Sequence, residues 1–208
     1  MHLIESLLNL VQLNLLCLGQ AIAIKIELLE VNNMKLYKLF LIAITLYAGA
    51  ATAAQDYFSM SYIQGEGDVR GIKVAYQYAL DYQIEGFEEL EIYLEANANF
   101  FEYDDPKRYD ANLGLSLSPV IFYPIGSIAG NRVFAEFGIG LSLLDDTKFA
   151  GKNISTHYQF EDRLGIAMKF GEAEQHSVSL KYFHYSNAGI KKPNPGLDFI
   201  SLSYSRAL

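Results

Sequence analysis

From residue 57 onward, apolar and polar side chains alternate with a period of two, the mark of β-strands that present one apolar face. In LEIYLEANANFF (90–101), Leu90, Ile92, Leu94, Ala96, Ala98 and Phe100 share one face, and Glu91, Tyr93, Glu95, Asn97 and Asn99 share the other. DANLGLSLS (110–118) sets Ala111, Leu113, Leu115 and Leu117 against Asn112, Gly114, Ser116 and Ser118. RVFAEFGIGLSL (132–143) sets Val133, Ala135, Phe137, Ile139, Leu141 and Leu143 against Glu136, Gly138, Gly140 and Ser142. Helical periodicity is absent. The alternation predicts eight strands, at 57–64, 70–80, 88–102, 108–122, 131–144, 158–170, 175–187 and 197–207, joined by turn-forming stretches at 102–107, 123–127 and 191–196.

Several of these strands reach the ~9–11 residues that a tilted strand needs to cross a bilayer. Alternation alone does not say which face is outside: a secreted barrel or sandwich would turn the apolar face inward. The polar faces carry small residues, Gly114, Ser116, Gly138, Gly140, Gly165, Ser177 and Ser179. These fit a tight interior better than a solvated surface. The predicted fold is therefore all-β, an eight-stranded antiparallel outer-membrane β-barrel. Closure removes the strand edges, and an interior of this size is filled by side chains, leaving no channel. Glu91, Glu95, Glu136 and Glu161 against Lys73, Arg163, Lys169 and Lys181 supply both signs of charge for that filling. Tyr76, Tyr78, Phe100, Phe101, Phe122 and Tyr123 are candidates for interfacial girdles.

The first 54 residues differ. Residues 34–54 run from a short basic stretch through LFLIAITLYAGA to ATAA, the layout of a secretory signal peptide. Residues 1–33 lie upstream of that complete signal and are read as an extension from a start assigned too early, with Met34 the true start. The barrel domain is then 55–208. The net charge of −8 argues against nucleic acid as a partner. A single cysteine, Cys17, excludes a disulfide framework, and the histidines form no metal pattern.

Candidate chemistry lies near the C-terminus. In HSVSLKYFHYSN (176–187), Val178, Leu180 and Tyr182 share a parity that His184 and Ser186 continue. In the last strand Ile200, Leu202 and Tyr204 share a parity that Asp198 continues. If the apolar parity faces lipid, all three polar side chains face lipid, where polar groups are costly and point to function. His184 could take a proton from Ser186, two residues along the same face, and Asp198 could orient the imidazole. Asn187 and N–H groups near Gly189 could donate to an oxyanion. The plainer alternative is a strand end whose polar residues sit at the membrane interface, in a structural or adhesion barrel without activity.

YFHYSNAGIKKPNPGLD (182–198) resembles the C-terminal signature of the lipid A 3-O-deacylase (PagL) family, through residues 184–189, then Lys192-Pro193-Asn194, Gly196 and an acidic residue at 198. FEDRLGIAMKFG (160–171) resembles one of that family's strands. The resemblance covers about residues 55–208. It implies an eight-stranded barrel of the Gram-negative outer membrane that removes the ester-linked 3-hydroxyacyl chain at position 3 of lipid A. It implies Ser186 as nucleophile, His184 as base and Asp198 as third member, with Asn187, Gly189 and Asn194 shaping the oxyanion site and its loop. No metal or organic cofactor is implied, the partner is lipid A in its lipopolysaccharide, and a homodimer is left open. Asp198 stands where a family member has Glu, so its shorter arm must reach His184 from the next strand.

Overall fold

The computed structural model describes residues 55–105 and 108–208. The signal peptide expected at 34–54 and the extension expected at 1–33 lie outside the described residues. Eight strands close into an antiparallel barrel: β1 (Tyr57–Gly65), β2 (Val69–Leu80), β3 (Glu91–Asp105), β4 (Arg108–Ile128), β5 (Asn131–Leu144), β8 (Tyr158–Phe170), β9 (His176–Ser186) and β10 (Leu197–Ala207). Each pairs with its chain neighbour along the barrel, and β1 pairs with β10 to close it, Tyr57 opposite Ala207 and Gly65 opposite Phe199. Between β5 and β8 the chain forms a small hairpin of β6 (Lys148–Phe149) and β7 (Lys152–Asn153). Antiparallel order puts the 145–157 and 187–196 connections at one end, away from both ends of the described chain.

The apolar face is outside. Leu202 is 63% exposed, Leu180 58% and Ile166 57%, and they belong to a belt that includes Phe58, Met60, Ile72, Ile139, Leu164 and Ile200. The soluble alternative, with these residues inside, is thereby excluded. The inward parity is buried and polar at mid-height. Arg163 grips Glu95 with both terminal nitrogens, at 2.6 and 2.8 Å, and reaches Glu161 at 2.6 Å. Lys73 joins Glu161 at 3.2 Å and Glu95 at 3.6 Å, and Lys181 lies 3.7 Å from Glu136. Glu161 also accepts hydrogen bonds from Ser118, Asn97 and Tyr185. Charges taken out of water need this density of partners, because a lone one would cost several kcal/mol. Lys169 binds Glu91 and stands over the rings of Tyr57, Tyr93, Phe122 and Phe134 at 4.9–5.3 Å.

Apolar plugs close both ends of this charged layer. Ile63, Phe101, Phe149, Ile154, Phe183, Tyr185 and Phe199 pack at the site end, and Tyr57, Tyr93, Val120, Phe122 and Phe134 at the other. Close strand approach needs the small residues: a side-chain carbon on Gly140 would lie 1.9 Å from Ser118 Oγ.

The structure corrects the sequence reading in three places. Phe101 and Phe122 are buried inside the barrel and are not girdle residues; their parity is that of Asn99 and Ser118, which are inward. Tyr76, Phe100 and Tyr123 do face out. The stretch 123–127 is not a turn. β4 runs through it with a register shift between Pro124 and Gly126, and the turn falls at Ala129 and Gly130, both at positive φ. A bulge accommodates Pro124, which cannot donate to the ladder. β3 likewise continues to Asp105, so the connection before β4 is shorter than the sequence suggested.

Candidate active site

Tyr182, His184 and Ser186 follow one another along the outward face of β9. The pairing of β9 with β10 sets Asp198 directly opposite His184. The pairing with β8 sets Asp162 opposite His184 on the other side, and Phe160 opposite Ser186. Three adjacent strands therefore carry a row, Asp162, His184 and Asp198, across the outer wall, with Ser186 one step toward the barrel's end. All four are half-buried.

Asp198 reaches the imidazole. His184 Nδ1 lies 2.7 Å from Asp198 Oδ1, so the shorter acid spans the gap between the strands. A carboxylate only accepts, so the Nδ1 proton is the donor, and in the neutral ring Nε2 then carries the free lone pair. The Tyr182 hydroxyl donates to the same Asp198 oxygen and fixes the carboxylate from the next position along β9. Ser186 Oγ accepts the Ala188 N–H at 3.4 Å; no hydrogen bond joins it to His184 among the described residues.

The loop beyond Ser186 is built to hold its shape. Ala188 and Gly189 both have positive φ, and Ile190 N–H donates to Asn187 C=O at 3.0 Å, which makes 187–190 a tight turn of the mirror-image type. Asn187 is fully buried. Its Nδ2 donates to Ile154 C=O at 3.2 Å and Lys191 C=O at 3.0 Å, so its side chain is an internal strut of the loop. Asn194 Oδ1 accepts the Asn187 N–H at 3.1 Å, while its amide nitrogen has no bond to the described residues. Gly189, three residues after Ser186, is exposed. Of the three residues expected around an oxyanion, Gly189 and Asn194 thus keep free N–H groups, and Asn187 supports the loop.

The hairpin of β6 and β7 braces this loop from the other side. Ser155 Oγ donates to Pro193 C=O at 2.5 Å, and Lys152 Nζ to Gly196 C=O at 3.2 Å. Gly196, at φ +71°, lies against His184: a side-chain carbon there would fall 2.7 Å from His184 Cε1. Any larger residue would push the imidazole from its place.

Sequence reasoning brought together His184, Ser186 and Asp198 by parity. It passed over Tyr182, Asp162, Gly196 and Lys152. Tyr182 had a signal, since it shares the parity of His184, and Asp162 is an acid on an apolar outward face. Gly196 and Lys152 act through loop contacts that have no period.

With this geometry in hand, the chain can be set beside known proteins. A sequence model of the family described as lipid A 3-O-deacylase (PagL) matches residues 70–207. The lipid A deacylase PagL of Bordetella bronchiseptica is 43% identical over 76 residues, which are 36% of this chain and 42% of that protein. The lipid A deacylase PagL of Pseudomonas aeruginosa is 39% identical over 92 residues, 43% of this chain and 50% of that protein. The chain spans about half the length of these curated relatives, or somewhat less. The crystal structure of the outer membrane enzyme PagL superimposes with a TM-score of 0.60 at 25% identity, covering 73% of this chain and 99% of that one.

Proposed function

The chain belongs to the lipid A 3-O-deacylase (PagL) family, and from that premise we propose that it is an outer-membrane esterase that removes the acyl chain at position 3 of lipid A, with Ser186 as nucleophile, His184 as base and Asp198 as the orienting acid. The observation that carries this reading is the His184–Asp198 hydrogen bond on the outer wall, two residues along the same strand face from Ser186. An amphiphile embedded in the same leaflet can slide along the apolar belt until its ester meets Ser186, which a site in the filled lumen would not allow.

Ser186 Oγ attacks the ester carbonyl and passes its proton to His184 Nε2. Asp198 holds the imidazolium that forms and keeps the ring in its productive orientation. The oxyanion of the tetrahedral intermediate meets donors from Gly189 N–H and the Asn194 amide. The intermediate collapses as His184 returns the proton to the leaving sugar hydroxyl, giving an acyl-enzyme. Water, deprotonated by His184, then releases the fatty acid and restores Ser186.

The test is lipid A mass analysis after incubation with purified protein in detergent. Wild type should remove one 3-hydroxyacyl chain. Ser186→Ala and His184→Ala should each lower the rate by on the order of 10⁶-fold, with the heat-dependent gel mobility of a folded barrel retained. Deacylation by Ser186→Ala at the wild-type rate would sink the mechanism.

A further inference from the structure

Charge is distributed unevenly around the site end of the barrel. The whole chain is acidic, with 24 Asp and Glu against 16 Lys and Arg. The β1–β2 and β3 side of this end carries Glu66, Asp68, Glu102 and Asp104. The 187–196 loop carries Lys191 and Lys192 and no acid at all. Both lysines are exposed, and neither has an ion-pair partner among the described residues. The other lysine beside the site, Lys152, is engaged by Glu66 at 2.5 Å and by Gly196 C=O, so it acts as a brace.

The two ammonium groups are carried on a fixed base. Lys191 C=O accepts from the buried Asn187 side chain, and Lys191 N–H donates back to Asn187 Oδ1 at 3.4 Å. Lys192 Nζ lies over the turn that follows the nucleophile, 4.0 Å from where a side-chain carbon on Gly189 would sit. One unpaired ammonium, that of Lys192, thus lies over the turn that follows Ser186, and Lys191 carries a second one on the same loop, each on a flexible stem suited to a phosphate as a point charge. In lipid A, the sugar that bears the position-3 ester also bears a phosphate on the same ring.

We propose that Lys191 and Lys192 form an anion subsite that takes a phosphate of the substrate's own sugar headgroup, and so selects which of its several esters reaches Ser186. The proposal rests on the deacylase reading above. Its chemistry is that of a phosphomonoester, which neighbouring lipids in the leaflet also present, so the test must separate the two sources.

The substrates are bisphosphorylated lipid A and the same lipid after phosphatase treatment, each dispersed in neutral detergent. Each lysine near such a charge contributes about fivefold, the equivalent of ~1 kcal/mol. Wild type should therefore prefer the phosphorylated lipid by roughly 25-fold in kcat/KM, and Lys191→Gln/Lys192→Gln should reduce that ratio to near one. The same ratio is read as binding in Ser186→Ala protein with the lysines intact or replaced. Equal ratios with and without the lysines would overturn the proposal. So would a preference that appears only in anionic vesicles, which would assign the lysines to neighbouring lipids. Failure of wild type to release acyl chains from either lipid would instead overturn the deacylase reading, and the binding measurement would still decide on the lysines.

Discussion

The two faces of β8 and β9 carry charge in opposite ways. Inward, Glu161 and Arg163 are fully buried and locked to each other, and each binds further partners of opposite charge. Outward, Asp162 stands between those two in sequence, half-buried, with no hydrogen bond among the described residues. His184 is bonded at one ring nitrogen only, and Ser186 makes no hydrogen bond to it. The inner set is closed, since nearly every donor and acceptor is taken; among the buried side-chain polar atoms only Arg163 Nε, Asn99 Oδ1 and Gln159 Oε1 lack partners in the described barrel. The outer set is open, with a lone pair, a hydroxyl and a carboxylate still available. A closed network resists change and holds shape. An open one, placed where lipid meets protein, has capacity left for a substrate.

The largest effect on stability is expected from breaking the closed set. Arg163→Met removes the cation shared by Glu95, Glu136 and Glu161, leaving three buried carboxylates to Lys73 and Lys181. Removing one partner of such a buried group costs about 3–5 kcal/mol, to be read from urea unfolding in micelles. Ser186→Ala should change the same midpoint by no more than ~0.5 kcal/mol. Equal stabilities for the two variants would erase the distinction between the faces.

That distinction was half legible in the chain. Period-two alternation located all the barrel strands, and small residues on the polar parity told inside from outside. The charged residues named for the interior are the ones found there, because both signs on one parity can cancel only when they meet in a lumen. Parity also put His184, Ser186 and Asp198 on one wall. What parity does not encode is register. Nothing in residues 160–171 says that Asp162, and not Leu164, faces His184 across the ladder; that follows from how the turn at 171–175 closes. Pro124 and Gly126 read as a turn because their local preferences are turn-like, and only the neighbouring strand's hydrogen bonds carry β4 past them. The bracing contacts of Lys152 and Ser155 join loops far apart in sequence and leave no pattern at all.

A smaller effect separates support from reaction within the open set. Tyr182→Phe removes a hydrogen bond to the Asp198 carboxylate but keeps an exposed ring in place. Hydrogen bonds to charged groups contribute about 1.5–3 kcal/mol, so kcat should fall by roughly tenfold to a hundredfold with little change in stability. If Tyr182 acts only through Asp198, the double variant with Asp198→Asn should be no slower than Asp198→Asn alone. Additive losses would mean that the hydroxyl contacts the substrate itself.

The smallest expected effect concerns Asp162. It faces His184 from β8 as Asp198 does from β10, yet it makes no hydrogen bond to the ring. Its influence is then that of a charge across a partly hydrated gap, about 1 kcal/mol. In the proposed mechanism the imidazole becomes positively charged in the transition state, and it is there that Asp162 would act on it. Asp162→Asn keeps the shape and removes the charge, so kcat should drop about fivefold while KM and the unfolding midpoint stay near wild type. A rise in KM at constant kcat would show instead that Asp162 binds lipid in the ground state, and the row across the three strands would be a substrate contact at one end and a catalytic pair at the other.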